Sequence, residues 1–417
     1  MKLKAVIIAT FILSAYCQAY AEVVRFEDLP NLVHANNRLI KAANANIRAY
    51  NERSPFLNQS FLPNFTASTG RQLLAKSEGN NLGAGQAFRL ETYVNLYNGG
   101  RDSLEEQIRQ SMRDVASAEL LKESAQQLLS ARRLFWQLVA IKSLMDLNER
   151  AINAARVYLK SAKTRIDHGI ATQSDLIQFE LQSDTLIQDQ KRLLLELDIA
   201  KSQLAVIIGS PDHVSLEVNE QLTHPNHDRV NLTPKQISDN PDVGILRRRA
   251  DALRYQELQL RTSWKPQLDA FSDFGQPTYI DRDARVGSDR REWFLGLRMR
   301  IDLADSLTDQ RESKARLSQA LATELRLEDT QARVDAFIHE LQSEIPLRHE
   351  LLHDAVRNEQ RAESLLKLVA DEYNRGIRNA AELLSASEQR LNASRRLIEQ
   401  TRDFYLTESQ LASLSGT

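Results

Sequence analysis

The stretch Trp293–Leu303, WFLGLRMRIDL, alternates so that every residue of one face is apolar. Trp293, Leu295, Leu297, Met299, Ile301 and Leu303 fall on one face, and Phe294, Gly296, Arg298, Arg300 and Asp302 on the other. FRLETYVNL, Phe88–Leu96, repeats the pattern, with Phe88, Leu90, Thr92, Val94 and Leu96 set against Arg89, Glu91, Tyr93 and Asn95. Period two is the signature of a strand, and about 9–11 alternating residues is the length of a membrane-crossing β-strand. A weaker strand precedes each, after FLPNF (Phe61–Phe65) and WKPQL (Trp264–Leu268), so two hairpins are expected at about 64–97 and 267–303. Open sheet edges are not tolerated in hydrocarbon, and bacterial barrels begin at roughly eight strands. With four strands per chain, subunits must share the barrel: about eight strands for a dimer, twelve for a trimer, sixteen for a tetramer. The alternative is a soluble hairpin packed on a protein core; Trp293 and the uninterrupted apolar face behind it favour lipid.

After each hairpin the texture changes. From Arg101 to about Asp167 the chain has no proline and is dense in Leu, Ala, Glu, Gln, Arg and Lys, all strong helix formers. Some 65 residues at ~1.5 Å each make a rod of about 100 Å. A break at Gly169 follows, with Thr172 or Ser174 as N-cap, and a second helix runs from about Gln173 to Ile208 before Gly209 and Pro211. Phe179, Leu186, Leu193, Ala200 and Ile207 recur along it at heptad spacing, as do Leu384, Leu391, Ile398, Tyr405 and Ala412 in the closing helix. Such stripes mean coiled-coil-like packing. Shorter helices precede the hairpins at about Leu32–Arg53 and Val243–Thr262.

These elements come twice. HGIATQSDL (His168–Leu176) and RGIRNAAEL (Arg375–Leu383) share a Gly-Ile, four residues, an acid and a leucine, at one offset (376 − 169 = 382 − 175 = 207). The unit is too long for a solenoid, so a duplicated domain is expected: 22–230 with a turn at about 167–174, and 231–417 with a turn at about 374–381.

Residues 1–21 read as a secretory signal: a basic Met1–Lys4, the apolar AVIIATFIL, and an A-x-A cleavage site at Ala19–Ala21. Cys17, the one cysteine, follows Tyr16 instead of a small residue, which argues against lipidation. No later segment is apolar enough for a membrane helix, and a net charge of −2 argues against a nucleic acid partner. No cofactor motif is present.

One motif points elsewhere. HELLH, His349–His353, is a literal H-E-x-x-H, in which His349 and His353 would hold zinc and Glu350 would act as general base. The extended form fails, since Val356 and Glu359 stand where its glycine and third histidine would be. The motif lies in a long helix just after Pro346, and the first half has nothing like it. A zinc metalloprotease is therefore the remote alternative, and an ordinary helix face the simpler reading.

The whole expected mature chain resembles the TolC-like outer membrane factors. The resemblance rests on the signal, FLPNF and WKPQL before the hairpins, LYNGGRDS opening the first long helix, the two Gly-Ile turns, and LAVIIGSP closing the first half. It implies an α+β membrane protein: a homotrimer whose 12-stranded β-barrel in the outer membrane continues into a long α-helical coiled-coil barrel across the periplasm. The function implied is the exit duct of a tripartite efflux pump or type I secretion system. The duct conducts passively, with a periplasmic adaptor and an inner membrane transporter as partners. The two turns would be the periplasmic ends, with Gly169, Ile170, Gly376 and Ile377 docking the adaptor. Tyr373, Arg378 and Glu382, with Asp175 from the first repeat, match the family's gate. Its second acidic ring is Ser385 here, which departs from strong cation selectivity. A periplasmic coiled-coil adaptor or scaffold is the rival class, sharing the helical hairpins but lacking lipid-facing strands.

Overall fold

The computed structural model describes residues 22–52, 62–72, 75–77, 80–82, 85–169, 171–210, 216–223, 240–279, 288–289, 292–301 and 305–414. The expected signal, Ile170, Pro211, most of the polar stretch between the halves, parts of the hairpin loops and Leu303 lie outside the described residues. In chain order the elements are β1 (Glu22–Val24), a 3-10 turn (Phe26–Asp28), α1 (Leu29–Asn36), α2 (Arg38–Glu52), β2 (Asn64–Gln72), β3 (Ala75–Ser77), β4 (Asn80–Leu82), β5 (Gly85–Asn98), α3 (Arg101–Asp167) and α4 (Gln173–Ile208). The second half adds β6 (Leu216–Val218), α5 (Pro241–Arg261), β7 (Gln267–Tyr279), β8 (Ser288–Asp289), β9 (Glu292–Arg300), α6 (Asp305–Asn374) and α7 (Ala380–Leu414). They form two compact units, each drawing on both halves of the sequence: 1–38, 126–231 and 342–413 in one, 39–125, 232–341 and 414–417 in the other.

The second unit holds the sheet, whose four long strands run antiparallel in the order β2-β5-β7-β9. The registers pair Phe65 with Thr92, Ala67 with Leu90, Leu90 with Phe274, Val94 with Ala270, Phe274 with Trp293, and Ala270 with Leu297. Because side chains alternate across a strand, these residues share one face. The described residues leave that face uncovered: Phe65, Trp293, Leu295, Leu297 and Met299 are 67–75 % exposed. The opposite face carries charge. Arg89 pairs with Asp273 at 3.6 Å, Arg298 with Asp269 at 3.6 Å, and Asn95 donates to Asp269 at 2.9 Å. Gly296 leaves room there for the Phe271 ring, since a Cβ at that position would meet the ring at 3.0 Å. The alternation expected for β5 ends early. The register shifts between Asn95 and Tyr97, so Leu96 is the extra residue of a bulge and Tyr97 pairs with Leu268.

The first unit is helical, with a short parallel pair of β1 and β6 in which Val24, Leu216 and Val218 are buried. The ends of α3, α4, α6 and α7 pack around Ala162, Leu176, Phe179, Val369, Tyr373, Ala380, Leu383 and Ala386. A second cluster joins Leu147, Ile152, Ala155, Leu186 and Leu391. Burying a side chain such as Phe179 or Leu383 stabilises this packing by about 1.5–3 kcal/mol. On α4 the heptad residues Phe179, Leu186, Leu193 and Ala200 are buried, but the stripe moves on to Leu204 and Ile208. A 3.6-residue helix drifts against a seven-residue repeat. On α7 the wholly buried positions include Leu383 and Phe404, one residue before the expected Leu384 and Tyr405.

The short helix expected over Leu32–Arg53 is two helices. Asn37 (ψ 129°) breaks them, and its amide donates to Gln127 at 3.1 Å and to the Ile207 carbonyl at 2.9 Å. Those two bonds satisfy a 3 % exposed side chain that an uninterrupted helix would have turned elsewhere.

Candidate functional site

The two turns are built the same way from local chemistry. After α6, Gly376 takes φ +80°, donates to the Tyr373 carbonyl at 2.9 Å, and lets Ile377 donate to the Glu372 carbonyl at 2.9 Å. That pair of bonds closes a helix C-terminus and requires a left-handed residue, which glycine supplies without a Cβ penalty. After α3, Gly169 takes φ +73° and donates to the Ile166 carbonyl at 2.8 Å.

Each following helix begins with a reciprocal cap. The Thr172 N–H donates to the Asp175 carboxylate at 2.9 Å, while the Asp175 N–H donates to the Thr172 hydroxyl at 3.3 Å. The Asn379 N–H donates to Glu382 at 3.2 Å, and the Glu382 N–H to the Asn379 side-chain oxygen at 2.9 Å. Both acids assigned to the gate by resemblance therefore hold the starts of α4 and α7. Thr172, not Ser174, is the N-cap.

Arg378 ties its own turn together. It donates to Glu382 at 2.7 Å and to Glu372 at 2.9 Å, so one guanidinium bridges the end of α6 and the start of α7. The Arg378 bond, followed by the Asn379 N–H, holds the Glu382 carboxyl below the usual carboxylate range. The two carboxylates in turn raise the Arg378 guanidinium above its ordinary value.

Tyr373 faces the core instead of solvent. It is 3 % exposed, lies 6.3 Å from Phe179 ring to ring, and its buried hydroxyl has no hydrogen-bond partner among the described residues. Burial pushes its phenol up, with the Arg165 charge opposing and Asp175 adding to the rise. Arg165, which the sequence did not single out, approaches from the last turn of α3. Its guanidinium donates to the Tyr373 carbonyl at 2.7 Å and sits 4.5 Å over the Tyr373 ring.

Asp175, Tyr373, Gly376, Ile377, Arg378 and Glu382 line one cleft of about 280 Å³, together with Arg165 and Asn379. Six of the eight residues expected at the turns thus converge. Gly169 is not among the lining residues, and Ile170 lies outside the described residues. Ser385 is exposed one turn into α7, where it accepts a bond from Gln389 at 3.5 Å.

The HELLH segment is part of unbroken α6, which runs through Pro346. The His349 and His353 rings meet edge to face at 4.6 Å, and His349 lies 6.3 Å from Phe404 of α7. The glutamates downstream serve the same helix pair: Glu359 accepts from Ser394 at 3.2 Å, and Glu363 from Arg390 at 2.8 Å. Among the described residues no group of three His, Cys, Asp or Glu side chains is placed to hold a metal ion.

No family model and no curated protein matches the sequence. Solved structures do match in fold. The outer membrane protein VceC from Vibrio cholerae superposes with a TM-score of 0.77 at 15% identity, over 93% of this chain and 95% of that one. The Campylobacter jejuni CmeC outer membrane channel gives 0.78 at 15% identity over 94% and 85%, and the outer-membrane channel OprN gives 0.76 at 17% identity over 94% and 90%. The chain therefore has the fold of the TolC-like outer membrane channel proteins.

Proposed function

We propose that three copies of this chain form an outer membrane exit duct. In this reading each copy contributes β2, β5, β7 and β9, and three make a closed barrel of about twelve strands, which removes the free edges of β2 and β9. The observation that carries the reading is the sheet itself: one uncovered face is apolar across all four strands, and the other bears paired charges. Lipid outside and water inside require that division. Exposed leucines at four-residue spacing on α6, Leu317, Leu321 and Leu325 (53–57 % exposed), support burial of that helix against another copy. Residues 1–21 act as the cleaved export signal, and the two sequence halves supply alternating helical hairpins to one periplasmic barrel.

The turns act as the periplasmic gate, with Arg378 holding the second turn shut until an adaptor engages Gly169, Ile170, Gly376 and Ile377. The duct conducts passively and performs no covalent chemistry, while an inner membrane transporter supplies the energy. VceC, CmeC and OprN, membrane proteins and channels by name, support this reading through their fold.

Leu297→Arg tests it, because the side chain is 69 % exposed on the apolar face of β9. Arginine facing the middle of a bilayer costs about 2–4 kcal/mol. The wild type should fractionate with outer membranes and need detergent for extraction, whereas the variant should assemble poorly. Extraction of both in plain buffer would replace the duct with the periplasmic scaffold reading.

A further inference from the structure

The Arg378 pairs join α6 to α7 within the second turn, but something else joins that turn to the first. Arg165 belongs to α3 and Tyr373 to α6, 208 positions apart, and they meet beside the cleft. The Tyr373 carbonyl is one of the last of α6, where carbonyls lack intrahelical donors and the helix dipole is negative. It already accepts the Gly376 N–H at 2.9 Å, and Arg165 adds a charged donor at 2.7 Å. The same guanidinium covers the Tyr373 ring at 4.5 Å, within cation–π range. Arg165 therefore grips both the backbone and the side chain of one residue. Another bond between the hairpins, Arg395 to Asp189 at 2.7 Å, lies 15 residues beyond Ala380. At ~1.5 Å per residue that is on the order of 20 Å from the turns.

The two halves are also unlike at this place. The position 207 residues after Arg165 is Glu372, which accepts from Arg378, and the position 207 before Arg378 is Ala171. The second turn thus has an internal ion-pair hold and an external clasp, and both act on the end of α6.

We infer that Arg165 is the positioning residue that clasps the first turn to the second, tying the end of α6 to α3 independently of the Arg378 pairs that latch the second turn within itself. The consequence for opening rests on the duct reading, but the clasp itself does not. Its partners are a backbone carbonyl and an aromatic ring, so it persists under acid conditions that protonate Glu382 and Glu372.

The test is hydrogen exchange of the purified full-length protein, read at the Gly376 and Ile377 amides, for wild type, Arg165→Gln and Arg165→Lys. Glutamine can still donate to a carbonyl but has no charge to place over the ring, whereas lysine keeps the charge and can donate but lacks the planar fork that reaches carbonyl and ring together. Loss of a charge-assisted bond and a ring contact should speed exchange at these amides about tenfold or more in Arg165→Gln. Arg165→Lys should fall between that variant and wild type. Exchange in α4 around Leu186 and in the β5–β7 pair should not change. Unchanged exchange at Gly376 and Ile377 overturns the proposal. Acceleration spread evenly through α4 and α7 overturns it too, since that is general loosening of the core. A local acceleration in a protein that conducts nothing in bilayers keeps the clasp and removes the duct.

Discussion

Tyr373→Phe separates two roles for one residue. By resemblance, Tyr373 belongs to the gate, and if its hydroxyl did the holding, its loss should loosen the turn. Its position in the core predicts the opposite. The side chain is 3 % exposed, and the hydroxyl is buried with no hydrogen-bond partner among the described residues. A hydroxyl buried without a partner costs roughly 1–3 kcal/mol by protein mutational data. Phenylalanine removes that cost and keeps the edge-to-face contact with Phe179 at 6.3 Å and the ring under Arg165 at 4.5 Å. A slightly weaker cation–π contact offsets a few tenths of that gain, so the net should be about 1 kcal/mol of stabilisation. That is about a fivefold change in an opening equilibrium, so amides in the last turn of α6 should exchange at the wild-type rate or up to about fivefold slower. Tyr373→Ala deletes the ring as well and should cost about 3–5 kcal/mol. Hydrogen exchange with peptides spanning 366–383, read alongside bilayer conductance, decides the matter. A Tyr373→Phe protein that exchanges several-fold faster, or opens more often, would show that the hydroxyl has a working partner and refute the argument.

Three further outcomes follow from local geometry. Gly376→Ala and Gly209→Ala both place a Cβ in the left-handed region, at a cost of about 1–2 kcal/mol. At Gly209 the Cβ would also meet Asn36 backbone oxygen at 2.8 Å, whereas at Gly376 the nearest atom is Arg165 at 3.8 Å. Thermal inactivation should therefore rank Gly209→Ala as the more damaging, and the reverse order contradicts the structure. Because the Glu382 pKa is depressed, its pairing stabilises the turn above the ordinary carboxylate value of about 4.3 and is lost as pH falls through the lower, folded-state value. Channel opening should stay flat from pH 8 to about pH 5 and rise only below the carboxylate range, and Glu382→Gln should abolish that rise. Ser385→Asp would add an exposed carboxylate one turn into α7, so reversal potentials should shift towards cations, and no shift would mean that position 385 does not face the pore.

Local rules were readable in the sequence. The approximate extents of α3 and α4 follow from composition and spacing within a few residues, and spacing narrows the α4 cap to Thr172 or Ser174, of which the structure uses Thr172. The break at Asn37 was not readable, because its cause is a carbonyl 170 positions away. The same holds for Arg165, one basic residue among many in a polar helix, whose partner lies 208 positions on. Comparing the halves position by position would have set Arg165 against Glu372, a hint that the turns differ in charge, but not that they touch. Tyr373 stands three residues before Gly376, at the end of α6. Its inward orientation depends on Phe179 and Leu383 from other helices, which no periodicity within α6 reports.

Single-channel recording in planar bilayers, comparing purified wild type with Arg378→Ala, tests the duct most directly. A small, mostly closed conductance that rises sharply in the variant is the predicted result, since Arg378 bridges Glu372 and Glu382 across the second turn. A wild type already open would keep the duct and remove the latch. A protein that extracts without detergent and gives no conductance would contradict the duct altogether.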